Sequence, residues 1–346
     1  MTWMRRRVSA TAARLLAALA VGAAASIAIQ MGPKMPGSIA ARRAASALII
    51  LAAVLLSSCG SGGSSGTTST VGRVRSPVPI RHLPPAPELR TRAPRASGVR
   101  WQTIAWVRGY PAVWFAQREG VTLMRIDQRY AHLHLHAGSS DGGPEGWRFG
   151  DKIEPFERAS LIAAFNGAFR LSYKDTGFAA GGHVADPLKH GLASVVTYTN
   201  GISDIGAWGV NVPQRGFTVY SVLQNQTLLV DGGAPAANIS GCVVSCWGAT
   251  IGGETVARSS LGIDARGELI WAASAAAVPA QLAHAQIAAG AQRALELDIN
   301  PDWVAGYLYL HPTPIPAAVP LVPGQYGIAG EFLVPYTRDF FALAAS

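Results

Sequence analysis

Residues 101–346 are predicted to form a β-rich α+β domain, with antiparallel or mixed sheets and few helices. Three observations predict it. Short apolar or alternating runs recur along the segment, bounded by turn residues. Pairs of these runs are separated by Gly-containing turns that suit hairpins. A single stretch has convincing helix start and stop signals.

The elements follow in order. Trp101–Val107, Ala112–Ala116 and Val121–Ile126 read as strands, the last two joined by Arg118-Glu119-Gly120. His132, His134 and His136 alternate on one face of a further strand. Leu161–Phe165 is a buried strand running into Asn166-Gly167. Val195–Thr199 and Ile202–Ile205 flank Asn200-Gly201, where both residues tolerate positive φ. Leu261–Asp264 and Glu268–Ala272 make another hairpin around Ala265-Arg266-Gly267. The helix runs from Pro279 to Ala289, opened by Pro and closed by Gly290. It feeds a strand over Ala294–Ile299. No internal repeat of fixed period is present.

Charge is distributed unevenly along the 346 residues, which carry +9 overall. Of the 29 Lys/Arg, seven lie in residues 1–58 and seven in 59–100, where Glu88 is the one acid. The remaining 15 basic residues face 19 acidic ones in residues 101–346, a net −4. The foldable part is mildly acidic, so no nucleic-acid partner is expected. With 49% hydrophobic residues the chain has enough apolar material for a core, which excludes general disorder. No apolar run of about 20 residues lies beyond position 60, which excludes a polytopic membrane protein.

Residues 1–58 read as a targeting region. Arg42-Arg43, the apolar run Ala44–Leu56 and Ser57-Ser58-Cys59 have the parts of a secretory signal, and the ending resembles a bacterial lipobox. Cys59 is then the lipidated first residue, anchoring an extracytoplasmic protein to the membrane. A signal placed this far in points to translation from Met31 or Met35. Residues 59–100 read as a Gly/Ser-rich tether followed by a Pro/Arg spacer that can rest on anionic lipid. In an oxidising compartment, Cys242 and Cys246 are expected to form a local disulfide. A metal site would need further ligands, and a catalytic thiol would need a base that the neighbouring sequence lacks.

Three clusters carry candidate chemistry. In Leu295-Glu296-Leu297-Asp298-Ile299-Asn300, alternation puts Glu296 and Asp298 on one face, about 7 Å apart and within the range of glycosidase pairs. The same residues also suit a solvent-facing Glu296 and an Asp298 that caps the following turn. The turn Asn166-Gly167-Ala168-Phe169 offers an amide and free N–H groups, with Gly181-Gly182-His183 as a second Gly-lined wall. Arg258 enters a strand in a charge-poor chain and is a candidate phosphate or carboxylate clamp. The three histidines have a spacing that can chelate a metal, or they line a solvated face with His136 nearest the site. Trp208 suits stacking on a sugar ring or a place in the core.

Taken together in this order, the motifs resemble the phosphodiester glycosidase family, relatives of the lysosomal enzyme that removes N-acetylglucosamine from a phosphodiester. That family shows an Asn-Gly-Gly-Phe-type turn, an Arg-x-x-x-Gly-Ile strand, and a helix–Gly-Ala–strand ending in Leu-Asp-Gly-Gly-Gly-Ser. The counterparts here are Asn166-Gly167-Ala168-Phe169, Arg258 through Gly262-Ile263, and Gly290-Ala291 through Leu297-Asp298, within residues 160–300. This chain departs from the family at Ile299-Asn300-Pro301-Asp302, where Pro301 has no N–H to give. With its terminal Arg338-Asp339-Phe340-Phe341, it looks like a variant branch found in exported bacterial proteins.

The resemblance implies hydrolysis of a sugar-1-phosphodiester or related glycosidic bond in cell-envelope glycan. Asp298 would be acid/base or nucleophile, Arg258 would hold the phosphate, and Asn166 with the N–H groups near Gly167 would orient the sugar. Gly167, Phe169, Gly182, His136, Glu296 and Asn300 would line the substrate. No metal or cofactor is expected. The alternative is a non-catalytic lipoprotein that binds envelope polysaccharide or assists its export.

Overall fold

The computed structural model describes residues 98–346 except 143–145, 172, 251–252 and 312. The targeting region, Cys59 and the tether therefore lie outside the described residues. Among the described residues no helix is long and apolar enough to cross a membrane.

Three antiparallel sheets make the domain. The first begins with β1 (Gln102–Val107), β2 (Tyr110–Arg118) and β3 (Val121–Ile126). It continues through β14 (Leu269–Ala277), β13 (Val256–Asp264) and β15 (Ala291–Glu296) to β11 (Leu228–Asp231) and β12 (Ala234–Pro235). The second has the order β17 (Ala317–Pro320), β16 (Gly306–Leu310), β5 (Leu161–Asn166), β18 (Phe340–Ala345) and β4 (Ala131–His136). The third has the order β7 (His183–Asp186), β6 (Thr176–Ala180), β10 (Val219–Asn225), β8 (Ala193–Tyr198) and β9 (Ser203–Ala207). Among the described residues, helices are limited to the four-residue α1 (Pro155–Arg158), the ten-residue α2 (Pro279–Ala288) and two short turns. The domain is mostly β, and the expected α+β label fits it loosely. Every strand pairing among the described residues is antiparallel, so the mixed-sheet option is not used.

Local chemistry explains the hairpins. Glu119 (φ 51°) and Gly120 (φ 77°) both sit in the left-handed region, the geometry that matches the twist of β2 and β3. Helix α2 starts at Pro279, as expected, and Gly290 ends it at φ 100°. The strand expected at Ala294–Ile299 starts earlier, at Ala291, and leaves the ladder after Glu296.

The main core lies between the sheets. Phe165 on β5 stacks on Trp271 of β14 at 5.3 Å and meets Phe341 of β18 at 5.5 Å. Gly306 on β16 leaves room for the Trp271 ring, which a Cβ would strike. Burying such a side chain stabilises by about 2–3 kcal/mol. The other face of the first sheet is covered by Leu282, Ala283 and Ala285 of α2, with Val121, Leu123, Ile270 and Trp247. The other face of the second sheet packs Tyr307, Tyr309, Phe332, Tyr336 and Phe340. Trp208 packs against a small cluster of Val196, Tyr198, Val212 and Val222 on the third sheet.

Candidate functional site

Beyond Glu296 the backbone crosses from one sheet to another. Leu297 N donates to Ser259 O at 2.8 Å, and Ser259 N donates to Asp298 O at 3.1 Å. Asp298 N then donates to Gly167 O at 3.0 Å, and Gly167 N to Asp339 O at 3.0 Å. Asp298 is thus tied to β13 on one side and to the turn after β5 on the other. Asn166 Nδ2 donates to Gly167 O (2.9 Å) and to Ser259 Oγ (2.8 Å), while Ser259 Oγ donates to Asp298 O (3.1 Å). A Cβ on Gly167 would run into the Asp339 carboxylate, so only glycine fits this crossing.

Two carboxylates meet one guanidinium here, and the Asp339 carboxyl lies nearby. Arg338 Nη2 lies 3.2 Å from Asp298 Oδ2, and Nε donates to Asp141 Oδ2 at 2.6 Å. Nη2 also donates to Ala168 O at 2.9 Å, and the guanidinium sits 5.6 Å over the Trp303 ring. Among the described residues nothing takes Nη1. Asp298 Oδ1 accepts from Ile299 N (2.7 Å) and Asn300 N (2.9 Å), the turn cap that its position also suits. Asp339 Oδ2 accepts from Ala168 N at 2.9 Å, and its Oδ1 is buried without a partner.

Burial pushes the Asp298 carboxyl up to about 6, against the pull of Arg338 and the two N–H groups. Burial, then the nearby Asp141 charge, raises Asp339 well above the usual range. One cation faces three buried carboxyls, which favours the neutral form of Asp339. A carboxyl that titrates near 6 can both give and take a proton under physiological conditions.

Arg258 and Glu296 form a separate, closed pair. Nη1 of Arg258 donates to Glu296 Oε1 at 2.7 Å and to Trp247 O at 2.9 Å. Nη2 reaches Gly248 O and Glu254 O, and Nε reaches Ala277 O. All five donors are taken and both side chains are fully buried. This corrects the expected clamp role: Arg258 has no donor left for a phosphate. Alternation along β13 sends Arg258 to one face and Ser259, with Asn166, to the other. Glu296 is likewise sealed rather than substrate-facing, and burial pushes it up to about 8 against the Arg258 charge.

The remaining expected residues divide. Phe169 is half-buried beside Tyr173, and a Cβ on Gly248 would meet both Phe169 and Ile299, so these line one wall. Asn300 is partly exposed and accepts from Asp302 N at 2.9 Å, which closes the turn after Asp298. Gly182 sits at the exposed tip of the β6–β7 hairpin, where among the described residues a Cβ would meet nothing within 4 Å. His136 does not line an open site. It is fully buried, stacked on Phe340 at 4.3 Å, with Nε2 3.3 Å from Glu157 Oε1 but not aligned for a hydrogen bond. The expectation of a solvated histidine face fails at His136, which is buried, while His132 and His134 are half-buried; His134 and His136 both approach Glu157. His134 bonds Glu157 at 3.2 Å, and His132 packs against Gly201.

Cys242 and Cys246 are joined in a disulfide. It staples the π-helical turn Val243–Trp247, whose end supplies carbonyls to Arg258. Among the described residues no group of three His, Cys, Asp or Glu side chains is arranged to hold a metal.

Sequence reasoning missed Asp141, Ser259, Arg338 and Asp339. Arg338 and Asp339 were legible only as a terminal motif. Their signal was a charged pair directly before an apolar run in a charge-poor chain, and Asp141 stood in a turn-like Ser-Ser-Asp-Gly-Gly.

No family model and no curated protein matches the chain. Among solved structures it is similar to the zebrafish N-acetylglucosamine-1-phosphodiester alpha-N-acetylglucosaminidase catalytic domain auto-inhibited by pro-peptide. Identity there is 12%, with 72% of this chain and 82% of that chain covered and a TM-score of 0.42. A hypothetical protein from Synechocystis is similar at 13% identity, 73% and 64% coverage and a TM-score of 0.35. A Burkholderia pseudomallei protein described as exported is similar at 11% identity, 68% and 75% coverage and a TM-score of 0.31. These are distant likenesses of fold, and no activity is read from them.

Proposed function

We propose that residues 101–346 form a distant variant of the phosphodiester glycosidases that hydrolyses a sugar-1-phosphodiester or related glycosidic bond in cell-envelope glycan. One observation carries this reading. Asp298, with a carboxyl raised to about 6, faces Arg338 at the junction built by the Asn166-Gly167 turn. Arg338, rather than Arg258, is the cation placed to balance a phosphate, through the nitrogen that no described residue takes. Asp298 as carboxylate takes the proton of an attacking water as its oxygen bonds to the anomeric carbon. The anomeric C–O bond breaks and the phosphate leaves with the electron pair. A phosphate ester anion leaves readily, so a base and a balancing cation suffice. Export through the signal and anchoring through Cys59 complete the proposal.

The test is the pH–rate profile on an aryl glycosyl phosphodiester. Turnover rises with pH through about 6, and Asp298→Asn removes that limb together with the activity. The second reading is a non-catalytic glycan-binding lipoprotein. The cap that Asp298 gives to two backbone N–H groups and the closed state of Arg258 favour it. Retained glycan binding with no turnover of any such phosphodiester, in the wild-type chain, decides for it.

A further inference from the structure

A pocket of about 240 Å³ opens between the second and third sheets, away from the Asp298 carboxylate. Its walls include Trp147, Arg148, Phe149, Tyr220 and Gly181. The aromatic rings are held in place. Trp147 Nε1 donates to Gly142 O at 2.9 Å, and the indole packs edge-on against Phe178 at 5.2 Å. Phe149 stacks on His134 at 4.3 Å and meets Tyr220 edge-on at 6.3 Å. Rings fixed in this way present apolar surface to the pocket without further ordering cost.

The polar groups are of the opposite kind. Arg148 is exposed and lies 5.4 Å over Phe149, and among the described residues no carboxylate pairs with it. The Tyr220 hydroxyl, half-buried, feels the Arg148 charge and makes no hydrogen bond to the described residues. The exposed His183 ring stands 5.8 Å from Trp147. One cation and one hydroxyl thus line the fixed aromatic surface, and an imidazole stands beside Trp147. The volume falls below the roughly 300–1,000 Å³ of drug-sized sites, which suits a single small ring.

The segment that supplies this wall also supplies the cluster at Asp298. It leaves β4 at Ala137, carries Asp141 to Arg338, and returns so that Ala137 N donates to Phe149 O at 3.1 Å. We infer that this pocket is a second saccharide subsite, taking a sugar unit that carries an anionic group, phosphate or carboxylate. The C–H face of the ring lies on Trp147. The anion meets Arg148, and ring hydroxyls meet Tyr220 and His183. The choice of a glycan as ligand rests on the proposed function. The pocket itself is read from its own residues.

The experiment titrates the full chain with glucuronic acid, glucose 1-phosphate and glucose, followed by saturation-transfer NMR and tryptophan fluorescence. Both anionic sugars should bind more tightly than glucose. Arg148→Gln should weaken them about tenfold while leaving glucose within about twofold, as expected for loss of one charge-assisted contact. Trp147→Ala should weaken all three. Should that variant misfold, the exposed Arg148→Gln still decides. A response to glucose 1-phosphate alone identifies phosphate as the anion, and to glucuronic acid alone a carboxylate. Unchanged binding of all three to Arg148→Gln, or equal binding of glucose and the anionic sugars, overturns the proposal. Asp298→Asn separates the two readings. Lost hydrolysis with intact Arg148-dependent binding supports both, whereas unaffected hydrolysis with that binding intact sinks the catalytic reading alone.

Discussion

At the scale of single residues, two carboxylates two positions apart have opposite duties. Asp298 touches Arg338 and two backbone N–H groups at the buried junction of two sheets, whereas Glu296 is sealed against Arg258. Asp298→Asn keeps one acceptor for the turn but removes the titrating proton. It should lower turnover of a glycosyl phosphodiester by about 10² or more, with a stability loss near 1 kcal/mol read by urea unfolding. Glu296→Gln strands a buried guanidinium instead. It should cost roughly 3 kcal/mol of stability, because one partner of a buried pair has gone. A Glu296→Gln variant as stable as the wild type but inactive would reverse the two assignments.

At the scale of elements, the short turn Val243–Trp247 matters more than its length suggests. Its end offers the carbonyls of Trp247 and Gly248 to Arg258, and Gly248 backs onto Ile299 and Phe169. The Cys242–Cys246 bridge closes this turn. Cys242→Ser with Cys246→Ser should lower unfolding free energy by about 2 kcal/mol, the entropy of a loop this small. Reductant should shift the wild type towards the double variant and leave the variant unmoved in the same denaturant titration. The crossing at Gly167 is the other sensitive element. Gly167→Ala places a methyl against the Asp339 carboxylate, so the crossing must open. Stability should fall by about 1–3 kcal/mol, and activity should fall with it.

Across the whole molecule, buried carboxyls give the domain an unusual pH dependence. Burial raises Asp298 to about 6 and Glu331 to about 7. The folded chain holds those protons where the unfolded chain has released them. The stability they contribute is full below the ordinary carboxyl range and is lost as pH rises through 6 to 7. Glu157 runs the other way. Burial opposes its charge, but the His134 hydrogen bond, the nearby His136 ring and the Glu154 N–H outweigh burial and bring it to about 2. Its contribution is present above the ordinary value of 4.5 and is lost as pH falls towards 2. The melting temperature should therefore be higher near pH 5 than at pH 8, and should drop again on acidification below about 4. A curve that climbs steadily from pH 5 to pH 8 would contradict the burial of these groups.

What the sequence determined by itself was local. Turn residues marked hairpins such as that at Asn200-Gly201, where Gly201 alone takes positive φ (88°), and Pro279 with Gly290 bounded the one long helix. Four-residue spacing in an oxidising context named the disulfide, and the motif order singled out Asn166, Gly167 and Asp298, which the fold brings to one junction. These signals are written in short windows, because φ, capping and loop closure are local quantities. What only the tertiary structure decided was which charges meet. Arg258 is consumed by Glu296 and four carbonyls contributed by Trp247, Gly248, Glu254 and Ala277. The cation at Asp298 comes from Arg338, forty residues on, and its second acid from Asp141, in the loop after β4. A guanidinium reads the same in sequence whether its donors are free or taken. Burial and hydrogen-bond saturation come from strands paired across more than a hundred residues, which no local pattern encodes.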